Sequence, residues 1–248
     1  SGTMEEMLDM LKKYLVLDFE EAYPQVRFRD EKNLIQVLKD VFSYTRCPFV
    51  ILIDEWDCLF REYKQDKEAQ KKYLDFLRAW LKDKDYIAMA YMTGILPIKK
   101  MKTQSALNNF DEFTMLDAGA LASYIGFTDL EVEKLCDKYH KDFAEVKRWY
   151  DGYVLENQQV YNPKAVVSVM LRGNFQSYWS QTGTYEVVVP LINMDFDGLK
   201  QAVIEMVSGS TVEVDTGTFQ NDTVSFSSRD DVITYLIHLG YLAYDQRK

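Results

Sequence analysis

Apolar and polar positions along the chain fall into two rhythms, and the shorter one sets the frame. Phe49-Val50-Ile51-Leu52-Ile53 is an unbroken apolar run that ends in carboxylates at Asp54, Glu55 and Asp57. Pro48 precedes it, where a strand can begin but a helix interior cannot. A run this short, rich in Val and Ile, predicts a parallel-sheet strand buried on both faces. Tyr86-Ile87-Ala88-Met89-Ala90-Tyr91-Met92 is a second such run, closed by Thr93-Gly94. Between them, charged residues from Lys64 to Lys72 open a helix whose buried face is Tyr73, Phe76, Leu77, Trp80 and Leu81. Strand, helix, strand at this spacing predicts a βαβ unit with parallel neighbours and a right-handed crossover. Thr93 then emerges on the same sheet edge as Asp54 and Glu55, the edge where open α/β sheets bind ligands.

The longer rhythm marks helices. Met7, Leu8, Leu11 and Leu15 share a helical face, and Leu15 to Phe19 either continues that helix or turns into a short extended segment. Leu34, Ile35, Leu38, Val41 and Phe42 form another face, with Asp30 as the expected N-cap. Phe110 to Met115 is read as a third sheet strand. Beyond it, short helices are expected over 117–124, 128–139, 142–150, 163–171, 184–189, 196–207 and 230–239. Thr128-Asp129-Leu130-Glu131 is a capping-box pattern, Pro163 suits a first helical turn, and Gly240 suits a helix end. Asp151-Gly152 is read as a turn that stops its helix. Thr211–Val214 and Tyr241–Tyr244 are expected strands; the second has no mate after it, so the natural protein is expected to continue beyond Lys248. Ser1-Gly2-Thr3 ahead of Met4 reads as a cloning remnant and is set aside. The fold class that follows is α/β: a parallel sheet with helices over 4–115, and a mainly helical region over 116–248.

Composition narrows the classes. The 248 residues carry 29 basic and 39 acidic side chains, a net charge of −10. That balance argues against a broad electrostatic hold on a phosphate backbone, so direct nucleic-acid binding is not expected. Cys47, Cys58 and Cys136 lack CxxC spacing and read as reduced thiols of a cytoplasmic protein. His140 and His238 are far apart in sequence, which leaves no zinc-ligand spacing. No apolar run reaches membrane-span length.

The candidate chemistry sits at the strand ends. An acid there can help hold Mg²⁺ next to a phosphate, as Asp54 would, while a second can activate water, as Glu55 would. Thr93 can hydrogen-bond a phosphate or a bound water, or simply satisfy local backbone. Asp57 either joins the carboxylate cluster or caps the next segment. Asp151, Arg148 and Arg172 are further candidates, each with surface or turn placement as the plainer alternative. Lys99, Lys100 and Lys102 make a small basic patch. Cys58 has no histidine close in sequence to activate it.

These residues resemble a known family. Val50-Ile51-Leu52-Ile53-Asp54-Glu55-Trp56-Asp57 resembles the Walker B strand of the predicted bacterial AAA-ATPase-like family, and Tyr91-Met92-Thr93-Gly94-Ile95 its sensor strand. Trp149-Tyr150-Asp151-Gly152-Tyr153, Val160-Tyr161-Asn162-Pro163, Tyr178-Trp179 and Thr182-Gly183-Thr184 resemble its later blocks. The resemblance implies a P-loop NTPase core, a helical lid and a winged-helix-like region, ATP and Mg²⁺ as ligands of the intact parent, and often a fused PD-(D/E)XK nuclease-like domain. It assigns Asp54 to Mg²⁺ and nucleotide binding, with Glu55 and Thr93 catalytic. The departure is the Walker A turn. None of the eleven glycines begins GxxxxGK[ST], and no Gly-Lys pair occurs. The family places that turn upstream, so this chain is expected to be the family domain without its first strand, P-loop and first helix. No nucleotide or metal is then expected on this chain itself. The alternative expectation is a non-catalytic interaction or regulatory module that keeps the fold without the chemistry.

Overall fold

The computed structural model describes residues 3–63, 65–95, 97, 107–178, 190–191, 193, 196, 198–219 and 226–245. The basic patch at Lys99, Lys100 and Lys102, the Trp179 and Thr182-Gly183-Thr184 block, and the helix expected over 184–189 lie outside these residues. The chain divides into two units, one built on Ser1–Asp111 and one on Glu112–Gln220 with Phe226–Lys248.

The first unit opens with α1 (Met4–Ala22), so Leu15 to Phe19 continues the helix. Thr3, set aside on sequence, is its N-cap. The Thr3 hydroxyl accepts from the Glu6 amide at 3.2 Å and Glu6 returns the bond to the Thr3 amide at 2.8 Å. α2 (Leu34–Thr45) is capped by Asn33, not Asp30; the Asn33 side chain accepts from the Ile35 and Gln36 amides. Asp30 instead closes a local turn onto the Lys32 amide. β1 (Phe49–Ile53) follows, then α3 (Cys58–Glu62), α4 (Lys67–Leu81) and β2 (Ile87–Met92). β1 and β2 pair in parallel across α4, as the βαβ spacing predicts. The core of this unit draws on Met4, Leu8, Val37, Val41, Leu77 and Tyr86.

Two expectations are corrected in this unit. β1 is not buried on both faces: Val50 and Leu52 stand exposed, in register with the exposed Met89 and Tyr91 of β2. An apolar run identifies a strand, but whether a layer covers each face is set by what packs on it. Phe110–Met115 is not a strand. Thr114 and Asp117 there exchange backbone bonds in a tight turn, which consumes the groups a ladder would use.

The second unit holds, besides helices, an antiparallel sheet of three strands in the order β3-β5-β4. A 3₁₀ turn over Gly119–Tyr124 leads to β3 (Phe127–Thr128) and α5 (Asp129–Tyr139), which starts on the Thr128–Glu131 capping box. α6 (Phe143–Tyr150) is capped by Asp142 and runs into β4 (Asp151–Leu155); β5 (Gln158–Tyr161) returns as a hairpin. Asp151-Gly152 is therefore part of a strand, with an irregularity in register at that point, and not the turn. The turn is Glu156-Asn157, both at positive φ (48° and 65°), the geometry a two-residue hairpin requires. α7 (Pro163–Arg172) begins with proline in its first turn and ends at Gly173 in the left-handed region. α8 (Leu199–Val207) and α9 (Arg229–His238) follow. Thr211–Val214 and Tyr241–Tyr244 form no ladder among the described residues. Val132, Val146, Tyr161, Val166 and Val169 make the main core of this unit.

Candidate functional site

The parallel ladder of β1 and β2 runs past the last strand residues. The Thr93 amide donates to the Ile53 carbonyl at 2.9 Å, and the Trp56 amide donates back to the Thr93 carbonyl at 2.9 Å. This brings Asp54 and Thr93 side by side, and the Thr93 hydroxyl donates to Asp54 Oδ1. The same oxygen accepts from the Glu55 amide at 3.0 Å. Both side-chain bonds fall on one oxygen, so Asp54 is oriented by its neighbours while remaining exposed. Short polar side chains at the end of a twisted parallel pair meet only when the register is right, and here Ile53 stands opposite Met92.

Glu55 lies in the left-handed region, φ 51°. A non-glycine residue there is uncommon, and such residues gather at sites where the surroundings hold the backbone. The turn reverses the chain so that Trp56 and Asp57 go inward while Glu55 stays in solvent. The Glu55 carboxylate is met by Arg61 Nη2 at 2.7 Å. Arg61 Nε lies 3.5 Å from Asp57 Oδ2, an ion-pair distance and not a hydrogen bond. Partial burial works against the guanidinium charge, but the bond to Glu55 and the fields of Asp57 and Glu55 outweigh it and raise its pKa.

Asp57 is the residue whose role sequence left open. It is fully buried, and its Oδ2 accepts from the Ile95 amide at 3.1 Å. It thus ties the segment after β1 to the segment after β2. Gly94 makes the approach possible: a Cβ there would lie 2.6 Å from the Trp56 ring and 2.9 Å from Asp57 Oδ1. Tyr73 on α4 supports the turn from below, donating to the Trp56 carbonyl at 3.0 Å; burial, then the fields of Cys58 and Asp57, push its pKa up. Cys58 has its thiol pKa raised, chiefly by burial, which is opposite to what a nucleophile needs. A signal for Asp57 existed in the sequence. An acid four residues past the strand end, inside an apolar stretch, needs a buried partner.

The other sequence candidates are engaged within the second unit. Arg148 lies 3.8 Å from Glu145 on its own helix, and the Arg172 guanidinium sits over the Tyr178 ring at 5.9 Å. Asp151 pairs across the hairpin with Tyr161 and is raised in pKa by burial. Sequence reading missed a polar cluster beside it. Tyr161 donates its hydroxyl to Asp129 Oδ1, and Lys147 approaches both Asp129 oxygens at 3.2 and 3.0 Å.

A magnesium ion carried on phosphate needs few protein ligands, often one carboxylate with waters completing the shell. Asp54 suits that role. A cage made by the protein alone does not exist here: among the described residues no group of three His, Cys, Asp or Glu side chains could hold a metal ion. The phosphate grip of GxxxxGK[ST] has no counterpart in the sequence.

With this geometry in view, comparison with known proteins is informative. Residues 1–103 match the family model described as Predicted AAA-ATPase. The matched stretch contains both strands and all of Asp54, Glu55, Asp57 and Thr93, so the match falls on the unit whose strand ends bring Asp54 and Thr93 together, the rim of the sheet. The chain is also 28% identical over 149 residues to an "Uncharacterized protein in vnfD 5'region" of Azotobacter chroococcum mcd 1. That similarity covers 58% of this chain and 28% of the relative's length. No solved structure matches. No helix among the described residues is long and apolar enough to cross a membrane.

Proposed function

We infer that the first unit is the Mg²⁺-side half of a nucleotide site in an AAA-ATPase-like protein that binds and hydrolyses ATP when a phosphate-gripping loop is also present. The observation that carries this is the meeting of Asp54 and Thr93 at the end of two parallel neighbours, inside the stretch that matches the AAA-ATPase-like model. Asp54 is the carboxylate for the metal, Glu55 the acid for the attacking water, and Thr93 the hydroxyl that fixes Asp54. Bound Mg²⁺ would neutralise charge on a phosphate ligand. The chain's own residues orient Asp54, hold Glu55 beside it and keep Trp56 and Asp57 out of solvent. The 248-residue chain, which lacks GxxxxGK[ST], binds Mg²⁺-ATP weakly or not at all.

The second unit, with its α5–α7 helices and hairpin, is proposed as the lid and winged-helix-like part of the same architecture. A non-catalytic interaction module is the competing function, favoured by the missing phosphate grip.

The test is a thermal midpoint with and without millimolar Mg²⁺-ATP, on the chain and on a longer polypeptide made by fusing a Gly-Lys-Ser/Thr phosphate-binding segment ahead of it. A ligand that binds only the folded state stabilises it by about 2.7 kcal/mol at 100 times Kd. A shift in the longer polypeptide that Asp54→Ala removes supports the ATPase-like reading. No shift in either, with ATP hydrolysis also absent, leaves the interaction module.

A further inference from the structure

Glu55 and Ile95 do not touch, yet an unbroken set of contacts joins them. Glu55 meets Arg61 at 2.7 Å, Arg61 faces Asp57 at 3.5 Å, and Asp57 receives the Ile95 amide at 3.1 Å. The first member stands in solvent, with its side chain 64% exposed, and the third is fully buried. Between them stands Arg61. Its guanidinium has a forked set of donors, and two carboxylates draw on it from different sides. Around it Gly94 packs close to Trp56 and Asp57, and the Trp56 amide donates to the Thr93 carbonyl.

We propose that Arg61 is a positioning residue that couples the exposed Glu55 to the segment after β2 through buried Asp57. In the ligand-free chain it ties the Glu55 carboxylate back toward α3. When Glu55 is drawn away, by a water or an anion at the rim, Arg61 is left to Asp57 alone. The Asp57 carboxylate then shifts its charge-assisted bonding between the guanidinium and the Ile95 amide, and the Gly94-Ile95 segment responds. The device reports the state of one acid at the rim to the neighbouring strand end. Glu55 and Thr93 flank the same crevice edge, so the report reaches the partner of Asp54 as well.

Its meaning as regulation rests on Glu55 being the water-activating acid of the proposed function. The test does not, because it is made on the ligand-free chain. Amide hydrogen exchange at Ile95 reads the Asp57 bond directly, with the Leu77 amide as an internal measure of global opening. Arg61→Gln is expected to change Ile95 exchange about tenfold while Leu77 is unmoved, the size set by loss of one charge-assisted contact. Glu55→Gln, a surface change that leaves folding intact, is expected to move Ile95 exchange severalfold in the native background and not at all beside Arg61→Gln. Arg61→Lys, which keeps charge but loses the fork, should restore only part of the coupling. Unchanged Ile95 exchange in Glu55→Gln overturns the proposal. So does an equal effect of Glu55→Gln with and without Arg61. Should Arg61→Gln fail to fold, the Glu55→Gln measurement in the native and Arg61→Lys backgrounds still decides. A failed ATP shift would leave this coupling standing, and a failed exchange test would leave the ATP reading standing.

Discussion

The rim of the first unit and the hairpin cluster of the second are built on the same pair of groups, an aspartate that accepts from a neighbouring hydroxyl. At the rim Asp54 accepts from Thr93; in the cluster Asp129 accepts from Tyr161. Their surroundings differ in every other respect. Tyr161 is fully buried, sits at the heart of a core with Val132, Val146 and Val166, and shares Asp129 with Lys147. Thr93 is half-buried, Asp54 is exposed, and no cation bonds to Asp54 among the described residues. An acid supplied with both a donor and a counter-ion has its charge satisfied by the protein. An acid supplied with donors on one oxygen only is oriented and still available. Orientation without neutralisation sets apart Asp54 and Thr93, the pair proposed as functional, while the Asp129–Tyr161 pair with Lys147 holds α5, α6 and β5 together.

Two substitutions press on that contrast. The largest effect is expected from Tyr161→Phe, which removes the hydrogen bond from a buried hydroxyl to the charged Asp129 at the edge of the core. A loss of about 1.5 kcal/mol is expected, read from urea unfolding. Thr93→Val, measured the same way, should stay within about 0.5 kcal/mol, as surface changes do. Equal losses at the two sites would erase the distinction.

Asp129 sharpens it further through pH. Burial alone would raise its pKa, but the Tyr161 and Lys147 contacts outweigh burial and hold it below the ordinary 3.8. A carboxyl depressed in the folded state adds stability above its unfolded pKa and loses it as pH falls through the folded value. Asp129→Asn should therefore be less stable than the native chain at pH 7, with the gap closing in strong acid. Asp151 has the opposite sign: burial first, with the Asp129 charge helping, raises its pKa against the pull of Lys147. Its charged form is disfavoured in the fold, so Asp151→Asn should stabilise at pH 7 and gain nothing once pH is below the ordinary carboxyl range. A thermal-midpoint series from pH 2.5 to 7 checks both signs, the pH span chosen to bracket the carboxyl pKa range.

The smallest effect is expected on the open face of the sheet. Leu52 is 70% exposed, so Leu52→Ser should change stability by less than about 0.5 kcal/mol despite its place in an apolar strand. A cost of about 2 kcal/mol or more in equilibrium unfolding would mean that the face is covered in solution.

Much of the rim was legible in the sequence because it depends on local order. Alternation-free apolar runs marked both strands, the intervening helix forced them parallel, and parallel strands deliver their carboxyl ends to one edge. The Thr128–Glu131 capping box and the proline at the start of α7 were legible for the same reason, since their partners lie within three residues. The hairpin was not. Asp-Gly carries a strong turn signal, yet the chain turns at Glu156-Asn157, because pairing β4 with β5 buries Leu155, Val160 and Tyr161. Local preference yielded to burial that only the returning strand could provide.

By itself the sequence determined the strand-helix-strand order of the first unit, the parallel pair and the placing of Asp54, Glu55 and Thr93 at its end, all consequences of periodicity and chain direction. Only the tertiary structure decided that Asp57 goes inside, that Arg61 stands between it and Glu55, and that Val50, Leu52, Met89 and Tyr91 are left exposed among the described residues. Those outcomes turn on which groups meet across distant segments. Burial and charge pairing are properties of that meeting, and no run of neighbouring residues encodes them.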